Sequence, residues 1–176
     1  MAITHNDSII LADELNNQIS TADRIDIIVS FILTSGLNLL LNELRAHTRN
    51  KPLRVITTTY MGATQFEAID ELLSLDNTEV RMELEAQITR LHAKGFIFYR
   101  KNGNSTAYVG SANISKSALT SGEEWVIKVR EKDVPQVIED LKNGFDSLWC
   151  SNHIKPITKT DRADVEIALA RKGCDL

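Results

Sequence analysis

A histidine and a lysine lie two residues apart near the middle of the chain, at His92 and Lys94. Residues two apart on a strand share a face of the sheet, so imidazole and ammonium would point the same way. Ser111 and Asn113 repeat this spacing at the end of a second predicted strand. Two antiparallel neighbours could bring the four side chains around one anion. An imidazole can attack phosphorus, and the other three groups can donate to the phosphate oxygens, which suits chemistry on a phosphodiester.

The elements that must position this block are predicted from the spacing of apolar residues. Short β-branched runs indicate buried strands, and apolar residues three and four apart indicate helices. The first half alternates strand and helix, which favours parallel strands with covered faces, and the second half is richer in strands. We therefore expect an α/β fold with a mixed β-sheet and helices on both faces. The predicted strands span residues 24–30, 53–59, 79–84, 91–99, 106–111 and 125–129, and the predicted helices 11–22, 37–44, 64–74, 134–149 and 164–171.

The turn between the two motif strands, residues 100–105, is typical of a hairpin. Gly110 follows the second strand and would let backbone approach a phosphate closely. Arg90, Arg100 and Lys101 form a basic cluster that could contact a DNA backbone, although a solvated hairpin tip explains it nearly as well. Trp125 is interpreted as a core residue.

Composition limits the organisation and the partners. At 176 residues the chain fits one domain, predicted over residues 1–150, with residues 151–176 as a polar tail or a linker to a further domain. With 20 Lys and Arg against 24 Asp and Glu, the net charge is −4, so any contact with DNA must come from a local patch. Cys150 and Cys174 are too few for a disulfide framework, which indicates reduced thiols and a cytoplasmic protein. We expect no membrane segment and no signal peptide.

The motif block resembles the signature of the phospholipase D superfamily, in which His-x-Lys is followed by Gly-Ser-x-Asn. Here these are His92-x-Lys94 and Gly110-Ser111-x-Asn113. The resemblance implies a phospholipase D-like half-domain. The segment Thr57-Thr58-Thr59-Tyr60-Met61-Gly62 and the overall spacing look most like the phospholipase D-like nuclease domain at the amino end of some bacterial helicases and restriction-type proteins.

The resemblance also implies catalytic roles. His92 would be the nucleophile that forms a covalent phosphohistidine. Lys94 and Asn113 would bind the phosphate oxygens, with Ser111 assisting. Glu124 would hold the ring tautomer of the histidine through the nitrogen that does not attack.

Three further residues are weaker candidates. Glu123 is the alternative to its neighbour for the acidic role, Tyr60 could form a wall of the site, and Arg90 could contact substrate. No metal ion and no other cofactor are implied.

Two departures from the family pattern have consequences. The family's fuller motif has an Asp five residues after the lysine, where this chain has Tyr99. The family also uses two motif copies, and this chain has one, because His153-Ile154-Lys155 is not followed by Gly-Ser-x-Asn. A two-fold dimer would place the same patch from each subunit face to face, so we expect a homodimer with the active site at its interface.

The resulting hypothesis is a metal-independent phosphodiesterase that acts on DNA, as the nuclease module of a helicase or restriction system. The alternative is a catalytically silent DNA-binding or dimerisation module of a helicase. A lipid phosphodiesterase is disfavoured because no amphipathic basic helix is apparent. The sequence leaves open strand and sequence specificity, the choice between DNA and RNA, and whether the chain is a fragment of a longer helicase.

Overall fold

The computed structural model describes residues 2–3, 10–85 and 91–171, and the part of the chain so described forms one eight-stranded sheet with seven α-helices. The strands are β1 (Ala2–Ile3), β2 (Arg24–Ile28), β3 (Leu53–Thr58), β4 (Thr78–Glu83), β5 (Gly95–Tyr99), β6 (Thr106–Gly110), β7 (Val126–Arg130) and β8 (Ile154–Ile157). The helices are α1 (Leu11–Thr21), α2 (Thr34–Leu37), α3 (Leu41–Thr48), α4 (Phe66–Leu73), α5 (Lys116–Thr120), α6 (Pro135–Trp149) and α7 (Arg162–Ala170).

The sheet is mixed, as predicted. Its strand order is β1-β7-β6-β5-β2-β3-β4-β8. The strands β2, β3 and β4 are parallel, and every other neighbouring pair is antiparallel. The parallel part corresponds to the alternating first half of the sequence, and the antiparallel part to the strand-rich second half.

Helices cover both faces of the sheet, which confirms the predicted fold class. On one face, α1 and α4 pack on alternate residues of the central strands, such as Ile25, Val55 and Phe96. On the other face, α6 packs on the intervening residues, such as Ile56 and Ile97. This alternation follows from strand geometry, since successive side chains point to opposite faces.

The structure differs from the prediction after residue 150. Residues 154–157 form β8, which pairs antiparallel with β4 and places Lys155 and Pro156 at the edge of the sheet. Helix α7 follows, and its Val165 is buried in the main core. This stretch therefore completes the sheet instead of lying apart from it as a polar tail.

The first motif strand is also shorter than predicted. Residues 91–94 lie outside the ladder, and β5 begins only at Gly95. The backbone N–H of Leu91 donates to a side chain, the carboxylate of Glu83, at 3.2 Å, instead of to a neighbouring strand. His92 and Lys94 therefore precede β5 and do not lie on it.

In the described residues, every helix is too short or too polar to span a bilayer.

Candidate functional site

The two halves of the motif meet where β5 begins and β6 ends. Gly95 pairs with Val109 across the two strands. One step further, the backbone N–H of Gly110 donates to the carbonyl of Lys94 at 3.2 Å. The expected antiparallel arrangement is therefore present, and it brings the segment 92–94 beside the segment 110–113.

Gly110 is required by a close approach of backbone. A Cβ atom at this position would lie 1.9 Å from the carbonyl oxygen of Trp125, far inside contact distance. The glycine thus lets the segment before β7 pack against the end of β6. This is a different use of the glycine from the close phosphate approach expected from sequence.

Ser111 is hydrogen-bonded to this same segment by both its backbone and its side chain. Its N–H donates to the carbonyl of Trp125 at 3.0 Å, and the N–H of Trp125 donates to its hydroxyl oxygen at 3.0 Å. The hydroxyl in turn donates to the carboxylate of Glu124. Ser111 therefore fixes the position of the acidic residue that follows it by 13 positions.

Lys94 is almost fully buried, with 7% of its surface exposed. Its Nζ donates to the carbonyl of His92 at 3.0 Å, which holds the histidine backbone next to the ammonium group. Desolvation lowers the pKa of Lys94, and the negative charge of Glu124 acts in the opposite direction. An ammonium group that is desolvated and close to one carboxylate is well suited to bind an incoming anion.

Asn113 connects the motif to the end of β2. It is 7% exposed, and its Oδ1 accepts hydrogen bonds from the backbone N–H groups of Ser30, at 3.0 Å, and Phe31, at 3.2 Å. Because the oxygen is occupied by two backbone donors, the amide nitrogen remains as the group that can donate to a ligand. These two hydrogen bonds fix the orientation of the Asn113 amide group.

His92 itself is solvent-exposed. Among the residues the structure describes, its ring has no hydrogen-bond partner, and Glu124 is bonded to Ser111 instead. The predicted contact between Glu124 and the histidine ring is therefore not formed in this structure. Glu123, the alternative for the same role, is exposed, and within the described ranges its side chain makes no recorded hydrogen bond or ion pair.

Glu83 is a site residue that sequence reasoning missed. It is the last residue of β4 and is fully buried. Its Oε2 accepts from the hydroxyl of Thr58 at 3.1 Å and from the backbone N–H of Leu91 at 3.2 Å. Its position could have suggested this, because Glu83 ends a parallel strand, and binding sites commonly form at the carboxyl ends of parallel strands.

Of the other weak candidates, Tyr60 lies beside Thr58, and Arg90 falls outside the described residues. Tyr60 is half-buried in a 3-10 turn after β3, where its backbone N–H donates to the hydroxyl of Thr58 at 3.0 Å. Tyr99, at the position of the family's Asp, ends β5 and pairs with Arg24, whose guanidinium carbon lies 3.9 Å from the centre of its ring.

One interpretation of the surroundings is wrong. Trp125 is 74% exposed, so it is not a core residue, because its backbone bonds to Ser111 hold it at the surface. Arg100 follows the far end of β5, where its side chain bonds to Gln18 and Thr21, so it lies away from the motif, and its contact with DNA stays a prediction.

Comparison with known proteins defines the class to which this fold and site belong. The family model "Cardiolipin synthase, PLD-like domain" matches residues 15–149, and the chain belongs to this family. The prediction of a phospholipase D-type phosphodiesterase is thereby confirmed at the level of family and fold. No curated protein matches the chain significantly.

Solved structures show the same fold. NucT from Helicobacter pylori is 18% identical with a TM-score of 0.68, and the match covers 89% of this chain and 98% of that one. A phospholipase D family member, Nuc from Salmonella typhimurium, is 18% identical with a TM-score of 0.67 and coverage of 90% and 97%. Polyphosphate kinase from Porphyromonas gingivalis is 10% identical with a TM-score of 0.61, covering 90% of this chain and 24% of the kinase.

Proposed function

We propose that this chain is a metal-independent phosphodiesterase that cleaves DNA through a phosphohistidine formed on His92. The observation that carries the proposal is the meeting of the two motif halves at one end of the sheet. There a buried ammonium group, a hydroxyl bonded to a carboxylate and an anchored carboxamide surround the segment that carries an exposed imidazole.

The proposed reaction has two displacements at phosphorus. A neutral imidazole nitrogen of His92 forms a bond to phosphorus, the bond to the leaving oxygen breaks, and that oxygen takes up a proton from an acid. Water then attacks the phosphohistidine, loses a proton, and displaces the imidazole. Throughout, Lys94 and the amide nitrogen of Asn113 donate to the non-bridging oxygens, where negative charge increases.

Glu124 is proposed to support the reaction from beside these donors. In the resting structure its carboxylate accepts from Ser111 and lies close enough to Lys94 to oppose the fall in that residue's pKa. Orientation of the His92 ring by this carboxylate remains part of the proposal, and it requires the carboxylate to exchange its serine partner for the ring.

We also propose that the active form is a homodimer with the site at the two-fold interface. One motif provides a nucleophile and no second histidine to protonate the leaving oxygen, a step worth roughly 10²–10⁴-fold in rate. The exposed position of His92 supports this arrangement, since a second copy could approach it. Sedimentation of the active protein should give a dimer, and an active monomer would contradict the shared site.

A role as the nuclease module of a helicase or restriction system is proposed from the segment 57–62. Its first residues, Thr57 to Thr59, are buried at the carboxyl end of β3, next to Glu83. The resemblance to helicase-associated domains thus includes residues that border the site. Co-purification of the chain with a helicase in its native cells would support this role, and its recovery alone would count against it.

The central test is DNA cleavage in EDTA by the wild type and by His92→Ala. We expect the substitution to reduce cleavage by at least about 10³-fold, as is typical for loss of a nucleophile. His153→Ala is the matched control, because His153 is also exposed and also stands two residues before a lysine. Acid-quenched wild type should carry a covalent nucleotide adduct on His92 by peptide mass.

Persistent cleavage by His92→Ala would refute the proposal. Salt-sensitive DNA binding with no turnover, in a folded wild-type dimer, would instead favour the silent binding module.

A further inference from the structure

A basic pocket lies at the end of β7 opposite the candidate site. Its volume is about 270 Å³, and four cations line it: Arg100, Lys128, Arg130 and Lys132. The remaining lining side chains, Gln18 among them, are polar and uncharged, and none is a carboxylate. This concentration of positive charge stands out in a chain whose net charge is −4.

Two of the four cations are neutralised by neighbouring acids. Lys128 pairs with Glu14, and Arg130 pairs with Asp133 at 2.6 Å. Burial raises the pKa of Glu14, but hydrogen bonds from Lys128 and Tyr108 outweigh this and keep it low, so the first pair is ionised. The positive charges of Arg100 and Lys132 therefore remain available to bind an anion.

Arg100 is held in place by uncharged oxygens. Its guanidinium donates to the side chain of Gln18 at 2.8 Å, to the hydroxyl of Thr21 at 2.6 Å and to the carbonyl of Asn104 at 3.1 Å. Desolvation lowers the pKa of Arg100, and Tyr108 and Asp23 act in the opposite direction. Among the described residues no carboxylate lies at ion-pair distance from Arg100, so its positive charge is available to attract an oxyanion.

Lys132 supplies the second available charge. It is exposed in the turn after β7, and within the described part of the chain it has no ion-pair partner. Its flexible ammonium group can close over an anion held by Arg100, since lysine acts as a mobile point charge.

Strand β7 connects this pocket to the candidate site. Glu124 lies two residues before the strand, and Arg130 is its last residue. Six residue steps at the rise of a strand span about 20 Å. At 3.4 Å per base pair, this is the length of about six base pairs.

We propose that this pocket is a second phosphate-binding site, which takes a backbone phosphate of a nucleic acid about six nucleotides from the bond being cleaved. The proposal rests on the proposed DNA phosphodiesterase function. A nucleic acid is favoured over a lipid headgroup because the pocket is lined by polar and charged side chains throughout, whereas a membrane-binding surface needs apolar residues to insert.

The test compares DNA binding by Arg100→Gln/Lys132→Gln and by its parent, both carrying His92→Ala so that DNA stays intact. Fluorescence anisotropy gives the affinity for a 20-base-pair duplex at several salt concentrations. Losing one phosphate contact should reduce the slope of log K against log salt concentration by about 1. With a dinucleotide, which is too short to span from the site to the pocket, the two proteins should give the same slope.

The matched control is Lys142→Gln/Lys155→Gln, which removes the same charge from exposed or half-exposed positions on α6 and β8. It should keep the slope of the parent on both substrates. Equal slopes for the pocket variant and its parent on the duplex would overturn the proposal, as would a parent that does not bind DNA.

A lipid ligand is a separate outcome of the same design. If vesicles containing phosphatidylglycerol bind the parent and not the pocket variant, while DNA binding is equal in both, the pocket belongs to a lipid phosphate and the proposal is wrong. Cleavage by the protein with His92 intact is measured independently. Failure of the proposed function therefore appears as absent cleavage, and failure of the pocket appears as an unchanged slope.

Discussion

Two carboxylates in the described part of the chain are completely buried, and their surroundings differ. Asp26, in the middle of β2, accepts from Arg54 at 2.8 and 2.6 Å and from Arg24 at 3.1 Å. Glu83, at the end of β4, accepts only from the hydroxyl of Thr58 and the backbone of Leu91, both at one oxygen. Its other oxygen has no partner among the described residues.

The Asp26 network stabilises the fold. Arg54 also bonds to Asp146 of α6 at 2.8 Å, and its guanidinium carbon lies 4.8 Å from the ring centre of Phe145. Desolvation lowers the pKa of Arg54, but the bonds to the two aspartates outweigh it and raise the pKa above its usual value. The network thus ties α6 to the sheet through charges that are fully compensated.

Among the described residues, no cation pairs with Glu83. A buried acid without a cationic partner is costly, and residues of this kind concentrate at functional sites. The hydrogen bond that the backbone N–H of Leu91 donates to Glu83 fixes the position of Leu91, the residue directly before His92. The comparison teaches that one buried carboxylate is explained by stability and the other by the position of His92, the proposed nucleophile.

The largest expected effect comes from breaking the Asp26 network with Arg54→Met. This leaves a carboxylate in the core with only Arg24 as its cation, and breaking a buried ion pair costs about 3 kcal/mol. Urea denaturation should show this loss in the free energy of unfolding, while cleavage per folded molecule stays at the wild-type value. A loss below about 1 kcal/mol would show that the network contributes little to the fold.

A smaller and different effect is expected from Glu83→Leu. Without its acceptor, the segment that carries His92 loses its anchor, and kcat should fall about 10-fold with KM nearly unchanged. Glu83→Gln keeps an oxygen that accepts from Leu91 and should restore most of kcat. If both variants lower activity only in proportion to the loss of folded protein, Glu83 is a structural residue and the contrast with Asp26 disappears.

The smallest effect concerns the pH dependence set by Lys94. Because burial lowers its pKa, its ammonium group loses its proton at a lower pH than an ordinary lysine does. Activity that needs this charge should therefore fall on the alkaline side, reaching half its maximum at the lowered pKa. In Lys94→Arg the alkaline fall of the normalised profile should move to higher pH, and a profile that does not move would contradict this role.

The same shift has a consequence for stability. Between the lowered pKa and the usual value of lysine, the unfolded chain binds more protons at this position than the folded chain does. The contribution of Lys94 to the free energy of unfolding should therefore increase as the pH rises through this window.

Much of the fold could be predicted because apolar spacing alone defines its central elements. The parallel strands and α6 carry continuous apolar patterns that pack on one another. Strand β8 was missed because its short sequence contains Pro156 and acquires strand structure only by pairing with β4. Its formation depends on a partner distant in sequence, which local patterns do not reveal.

The candidate site was predictable in its residue types and less so in its contacts. Spacing placed His92 and Lys94 beside Ser111 and Asn113. It could not reveal that the lysine bonds to the histidine carbonyl, since both residues lie outside the ladder. Nor could it find Glu83, because its bond to Leu91 joins residues eight positions apart that no local pattern pairs.

The short strands at the two edges of the sheet limit how copies of this protein can associate. Within the described residues, β1 pairs with β7 at two positions, and β8 presents Lys155 and Pro156, which has no N–H to donate. Charged residues and proline on edge strands block the addition of further strands. The β8 edge of the sheet is therefore a poor template for pairing with a strand of another molecule.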